Sequence, residues 1–369
     1  MKPNHFLLVI ICLLSSFLPF HTYAAEKNLI NIAIVSSYHP EYTWSQATND
    51  GVLTGLLEFG YLDNKDQAKQ YTKTNSVTSS KVRLKKYWMD TKRKSSRSEI
   101  SIALSLLIEQ LETFKPDIVL LGDDNAANYV GNHYLDSDIP VVFWGVNGVP
   151  LKYGLLDSLE NPGHNITGVY QAGYHKESVR YLKTLIPGIK RIAVLSDDSP
   201  TGRSHAKRLQ RFANENALPV EVVDVVITNS FTKFKKSALE LNDKVDAFYI
   251  STHNTLKDDN GAHVNYLQVI NWYMKNTNKP EVTPSKHMLA EGLLATVDDS
   301  GFNQGYEAVK VAHSILSGGK KPAQISAYAP KQGPFIVNQW RAKQLGLEQN
   351  IKDNKNIIDE IVYDHKAWK

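Results

Sequence analysis

The sequence predicts an α/β protein built as two doubly wound parallel-sheet lobes joined by a hinge that the chain crosses several times. Three observations carry that prediction. First, the run Ile32-Ala33-Ile34-Val35-Ser36-Ser37-Tyr38-His39-Pro40 returns as Ile192-Ala193-Val194-Leu195-Ser196-Asp197-Asp198-Ser199-Pro200. Each copy is wholly apolar and ends in a polar loop, as a strand buried on both faces of a parallel sheet does. Second, Asp117-Ile118-Val119-Leu120-Leu121-Gly122-Asp123-Asp124-Asn125 is answered by Asp246-Ala247-Phe248-Tyr249-Ile250-Ser251-Thr252-His253-Asn254, with Asp and Asn at the same separation. Third, short apolar runs alternate with helix-length segments along both halves, which implies right-handed crossovers.

In chain order, a strand is expected over Leu29–Val35 and a helix from near Trp44 to the Phe59-Gly60 stop. Asp63 to Ser80 is polar and without period. Lys81 to Arg97 is rich in positive charge and reads as a solvated edge strand and turn. Ser98 is placed to cap a helix through Phe114, whose Ile102, Leu106, Leu107 and Leu111 repeat at helical spacing. Strands follow at Asp117–Leu121 and Val141–Phe143, with a helix from Asn125 between them. The second half continues with helix Lys176–Leu185, strand Ile192–Leu195, helix Arg203–Asn216, strand Val220–Val226, helix Phe231–Leu241, strand Ala247–Ile250 and helix Val264–Lys275. The last third carries short strands near Met288 and at Leu294–Val297, helix Asn303–Leu316, a strand Phe335–Val337 and a polar end from Lys352 to Lys369.

The 369 residues leave room for two ordinary domains, and the formal net charge of +4 is too mild and too diffuse for a nucleic-acid partner. Lys2, the apolar run Phe6 to Phe20 and the small residues around Ala24 and Ala25 have the order of a secretory signal peptide, here residues 1–25. The run is short for a bilayer span, which takes ~20 residues; an uncleaved anchor is the other reading. Cleavage there removes Cys12, the only cysteine, so disulfides, thiol nucleophiles and Cys-ligated metals are excluded from the mature chain.

Ligands of open parallel sheets bind beyond the carboxyl ends of the strands. That rule nominates Ser36, Ser37 and Tyr38; Asp123, Asp124 and Asn125; Trp144 and Asn147; Asp197, Asp198 and Ser199; and Thr252, His253 and Asn254. Tyr38, Trp44 and Trp144 can pack on a ring or chain. Singly, the Ser, Asp and Asn residues read equally well as helix caps and turn residues. There is no Gly-x-Gly-x-x-Gly, no His-Glu-x-x-His and no Gly-x-Ser-x-Gly in the sequence. Neither a metal, a cofactor nor a catalytic residue is assigned, and the expectation is a protein that is not an enzyme. The alternative is an exported metal-dependent hydrolase using Asp197, Asp198 and His253.

Ser36-Ser37-Tyr38-His39-Pro40, Met89-Asp90-Thr91-Lys92-Arg93, Gly122-Asp123-Asp124-Asn125-Ala126-Ala127, Val142-Phe143-Trp144-Gly145-Val146-Asn147 and Ile166-Thr167-Gly168-Val169 resemble the bacterial ABC transporter substrate-binding family. So do Gly301-Phe302-Asn303-Gln304-Gly305-Tyr306 and Ser317-Gly318-Gly319-Lys320-Lys321-Pro322. The likeness is greatest to relatives linked to sensor kinases and diguanylate cyclases. It implies a type I periplasmic-binding fold, with hinge crossings near Thr167–Tyr170, Ala290–Leu293 and Pro322–Ala329. Lobe 1 is then 26–166 with 291–322, and lobe 2 is 167–290 with 323–369. Tyr170 and Glu291, at two of the crossings, join the expected ligand contacts. The implied protein is a periplasmic monomer that closes on a small polar or aromatic-containing ligand. A membrane partner, either a permease or a sensor (histidine kinase or diguanylate cyclase), would read the closed form.

Overall fold

A computed structural model describes residues 29–147 and 150–363. The proposed leader, Cys12 and the last residues of the polar tail lie outside them. Among the described residues thirteen strands form two sheets. The first contains β1 (Ile30–Ser36), β2 (Ser76–Thr78), β3 (Val82–Trp88), β4 (Ile118–Gly122), β5 (Val141–Asn147) and β6 (Ile166–Gln171), in the order β2-β3-β1-β4-β5-β6. The second contains β7 (Arg191–Ser196), β8 (Glu221–Ile227), β9 (Ala247–Ile250), β10 (Glu281–Thr283), β11 (Ala295–Val297), β12 (Phe335–Asn338) and β13 (Glu360–Val362). Its order is β13-β12-β11-β10-β9-β7-β8. All pairs are parallel except β2 with β3 and β11 with β12.

The repeat is topological. β1 and β7 each begin a half, and each has the next long strand on one side and β4 or β9 on the other. The order therefore reverses at β1 and at β7, so both switch points lie at the ends of the repeated runs. The opening Asp residues bond alike. Asp117 Oδ2 accepts the Asn31 amide at 2.7 Å, and Asp246 Oδ2 accepts the Arg191 amide at 2.8 Å.

Helix Gly301–Leu316 follows β11 of the second sheet but packs on the first, against helix Thr43–Glu58. Glycine sets how near they come: a Cβ on Gly51 would stand 1.9 Å from the Phe302 carbonyl oxygen, and one on Gly305 would stand 2.1 Å from that of Thr48. The chain thus passes between lobes after β6, after β11 and between this helix and β12. The first and third passages are stitched together by Tyr170 N–H to Tyr328 O at 2.9 Å.

Several expectations need correction. β6 pairs with β5 through Gln171, and β11 pairs within the second sheet, so the strand ladders extend past the expected boundaries at 166 and 290. Asp63 to Ser80 holds helix Lys65–Thr74, capped by Asn64, and β2. Because β2 covers β3, the basic stretch is not the edge of its sheet. The helix ending at Phe114 is capped by Ser96, not Ser98, because only Ser96 has a glutamate at the third position to complete a capping box, Glu99. Its Leu107 and Leu111 are buried, but Ile102 and Leu106 are exposed. The strand expected near Met288 ends at Thr283, before Pro284, and Met288 lies in a single 3₁₀ turn. The polar end supplies β13. No helix among the described residues is long and apolar enough to cross a membrane.

Candidate ligand site between the lobes

The carboxyl ends of β1, β4 and β5 face those of β7 and β9, with the 3₁₀ turn Lys286–Met288 alongside. Between them is a chamber enclosing about 30 Å³ of free space. Tyr38, Tyr42, Trp44, Lys92, Asp123 and Asn147 line it from the first lobe. Thr201, His205, Ser251, Thr252, Ser285 and His287 line it from the second. That volume holds no more than a water or two, so this is a closed arrangement.

The walls touch across the cleft through the protein's own side chains. The Tyr38 hydroxyl lies 3.2 Å from Thr201 Oγ1, and the Tyr42 hydroxyl donates to Asn254 Oδ1 at 3.2 Å while lying 3.2 Å from His287 Nε2. Asn147 Oδ1 is 2.6 Å from His205 Nε2. Asn147 Nδ2 donates to Asp124 Oδ2 at 2.9 Å, which fixes the amide and makes Oδ1 the acceptor. His205 Nε2 is therefore the protonated nitrogen, and Nδ1 accepts from Ser251 Oγ at 3.2 Å. Burial, with Arg208 and Lys92 nearby, pushes the His205 imidazole down to about 3, so it stays neutral.

Two charged side chains sit within the chamber. Lys92 is 3 % exposed, with Nζ 4.6 Å from the Tyr38 ring centre and 5.7 Å from that of Tyr42. The turn after β3 puts it there: the Asp90 amide donates to Tyr38 O and the Thr91 amide to Ser37 O, drawing the turn beneath the β1 loop. Asp123 has φ +70°, in the left-handed region, and its Oδ1 accepts from Trp44 Nε1 at 2.7 Å. Burial above all, then the charge of Asp124, pushes its carboxyl up to about 8 against the pull of the Trp44 hydrogen bond, Lys92 and Lys86.

Gly145 holds this corner open. Its φ is +68°, and a Cβ would lie 2.6 Å from Asp123 Oδ1 and 3.5 Å from the Trp44 ring. Gly145→Ala is expected to lower stability by about 1–2 kcal/mol from the backbone alone and to weaken solute binding by displacing Asp123. Denaturant melts and binding titrations check this; wild-type behaviour in both would exclude the role.

Of the sequence-nominated residues, Tyr38, Trp44, Asp123, Asn147 and Thr252 line the chamber. Asp124 and Asn125 face a groove outside it. Asp124 is consumed by Lys152, Tyr153 and Asn147, and Asn125 Nδ2 donates to Thr91 Oγ1. Ser36 and Ser37 are buried, and Ser37 Oγ bonds Gly122 O and the Ala126 amide. Trp144 is fully buried in the first-lobe core, with Val142 on the same face of β5, and not in the cleft wall. Tyr170 packs at the hinge, its carbonyl accepting from Gln304. His253 and Glu291 lie buried in the second lobe, 3.0 Å apart; Asn254, beside His253 in sequence, receives Tyr42.

Asp197, Asp198 and His253 do not converge on one point. Asp197 Oδ1 accepts from Ser199 Oγ, and Oδ2 accepts from the Asn254 and Thr255 amides. Asp198 pairs with Arg203 at the surface, and Ser199 caps helix Pro200–Asn214. Among the described residues no group of three or more His, Cys, Asp or Glu is placed to hold a metal. Tyr42, Lys92, His205 and His287 were not singled out by sequence.

Residues 84–356, well over half of the chain, match the family described as ABC transporter substrate binding protein. A tyrosine-binding protein of Clostridioides difficile (strain R20291) is 25% identical over 222 residues, covering 60% of this chain and 61% of that protein. The match thus spans about three fifths of that relative's length. Among solved structures, the ABC domain in complex with L-Trp from Streptococcus pneumonia aligns with a TM-score of 0.67 and 19% identity, covering 90% of this chain and 100% of that one. The ligand-free, open structure of a substrate binding protein with adhesive properties from Clostridium difficile aligns with a TM-score of 0.62 and 20% identity, covering 92% and 100%. These likenesses establish the type I periplasmic-binding fold. With the family match, the chain belongs to the ABC transporter substrate-binding protein family.

Proposed function

We infer that this chain captures a small solute with an aromatic part in the inter-lobe cleft and releases it chemically unchanged. One observation carries the reading: a buried chamber walled by Tyr38, Tyr42 and Trp44, ringed by hydrogen-bonding groups, spans both lobes at their switch points. A relative named for binding tyrosine and a fold relative holding L-Trp support an aromatic amino acid. A solute needs more than the closed chamber offers, so the lobes part to admit it and close with it as part of the contact, which couples affinity to the open–closed equilibrium. The exported, monomeric chain presents its closed face to a membrane partner. Family membership supports a permease, and the motif likeness noted above points to a sensor.

Thermal unfolding of the purified chain with L-tyrosine, L-tryptophan, L-phenylalanine and, as controls, neutral sugars tests this. Ligand at 100 times Kd stabilises by about 2.7 kcal/mol, which is a rise in Tm of roughly 3–4 °C for a protein of this size. Stabilisation by a sugar with none from any aromatic amino acid would overturn the reading.

A further inference from the structure

The chamber holds one cation, Lys92, and one carboxyl group, Asp123, that the protein does not bring together. Lys92 is buried, yet no carboxylate oxygen among the described residues comes within 4.0 Å of its Nζ. Its closest neighbours are two tyrosine faces, which attract a cation without neutralising it; the Asp197 carboxylate feels its charge but lies beyond ion-pair distance and is already held by donors of its own lobe. Across the same chamber Asp123 gives Oδ1 to the Trp44 indole, while Oδ2 makes no hydrogen bond within the described chain. A buried charge without a partner is costly, and an aliphatic or amide side chain would remove that cost at either position. A cation and a carboxyl that ionises when an ammonium arrives, held apart on one cavity, are complementary to a molecule carrying both charges.

We propose that Lys92 and Asp123 read the two poles of a zwitterionic solute, Lys92 receiving its carboxylate and Asp123 its ammonium. This rests on the solute-capture reading and goes beyond it by assigning one residue to each charge of the solute. Trp44 positions Asp123, and the hydroxyls of Thr201, Ser251 and Ser285 supply the remaining hydrogen bonds. The consequence is specificity by rejection. A solute lacking one charge leaves Lys92 or Asp123 desolvated and unmet when the lobes close, so closure itself excludes amines without a carboxylate and acids without an ammonium.

The test uses the mature chain and three probes that share a phenol: L-tyrosine, tyramine, and 3-(4-hydroxyphenyl)propionate. The wild type is expected to prefer L-tyrosine over both by at least about 100-fold. Lys92→Met, with Lys92→Gln as a second variant should the first melt early, is expected to bring the L-tyrosine to tyramine ratio to within about threefold of unity. The preference over the propionate should persist. Asp123→Asn, which keeps an acceptor for Trp44, is expected to do the converse. Retention of both wild-type preferences in both folded variants would overturn the assignment while leaving solute capture intact. Failure of the wild type to bind L-tyrosine, L-tryptophan or L-phenylalanine at millimolar concentration would overturn the capture reading, and this inference with it.

Discussion

Asp197→Ala is expected to destabilise the protein by about 3–5 kcal/mol, whereas Ser37→Ala, at the equivalent place in the other lobe, should cost only about 1–2 kcal/mol. Asp197 is fully buried. Its Oδ1 accepts from the Ser199 amide and hydroxyl and from Thr252 Oγ1, and its Oδ2 accepts from the Asn254 and Thr255 amides. Removing the carboxylate strands those donors in the interior at once. The Ser37 hydroxyl bonds only the Gly122 carbonyl and the Ala126 amide. The two residues do the same work with different reach, since the Ala126 and Thr255 amides are equivalent in the repeat. Burial alone would raise the Asp197 carboxyl, but Lys92 and its hydrogen-bond donors outweigh burial and hold it below its ordinary 3.8. An acid depressed by folding stabilises fully above its unfolded value, and that contribution fades as pH falls through the lower folded value. Urea melts from pH 7 down to pH 3 should show the gap between wild type and Asp197→Ala shrinking only at the acid end. A gap under 1 kcal/mol at pH 7 would remove Asp197 as the lip's organiser.

This pairing explains why the architecture was legible. A strand buried on both faces must be apolar throughout, and the loop after it must supply donors and acceptors for backbone that cannot reach water. The two halves meet that demand at matching positions. Asp117 and Asp246 tie down the start of the neighbouring strand, and Ser37 and Asp197 tie down the loop after β4 or β9. The repeat in the residues is therefore a repeat of hydrogen bonds.

Most of the chamber was illegible for a related reason. Lys92 sits among positive charges that read as solvated surface, and only pairing of its turn with Ser37 and Tyr38, more than fifty residues earlier, buries it. Tyr42 and His205 lie near the starts of helices, where nothing local says that the opposing lobe will close over them. Trp144 failed in the other direction. An aromatic near the end of a strand can face the cleft or the helix layer, and period-two alternation places it with Val142 in the core.

Binding of a cationic group beside Asp123 is expected to release protons. With its carboxyl pushed up to about 8, Asp123 in the empty protein is mostly protonated at pH 7. An ammonium draws the ionised form, so affinity should fall as pH drops below about 8, approaching tenfold per pH unit. Calorimetric titrations of L-tyrosine at pH 7 in phosphate and in Tris should differ in apparent heat by the proton released to buffer, and Asp123→Asn should abolish the difference. Equal heats in the two buffers for the wild type would show that Asp123 does not ionise on binding. The same carboxyl acts on stability with the sign opposite to Asp197. Its folded value lies above 3.8, so the unfolded chain ionises first, and stability contributed by the neutral form is lost as pH rises from about 4 to about 8. The Asp197 contribution is already complete across that range, so the two carboxylates act in separate pH windows. A bound ammonium stabilises the ionised form, which predicts that saturating solute flattens the alkaline decline and leaves the acid limb unchanged.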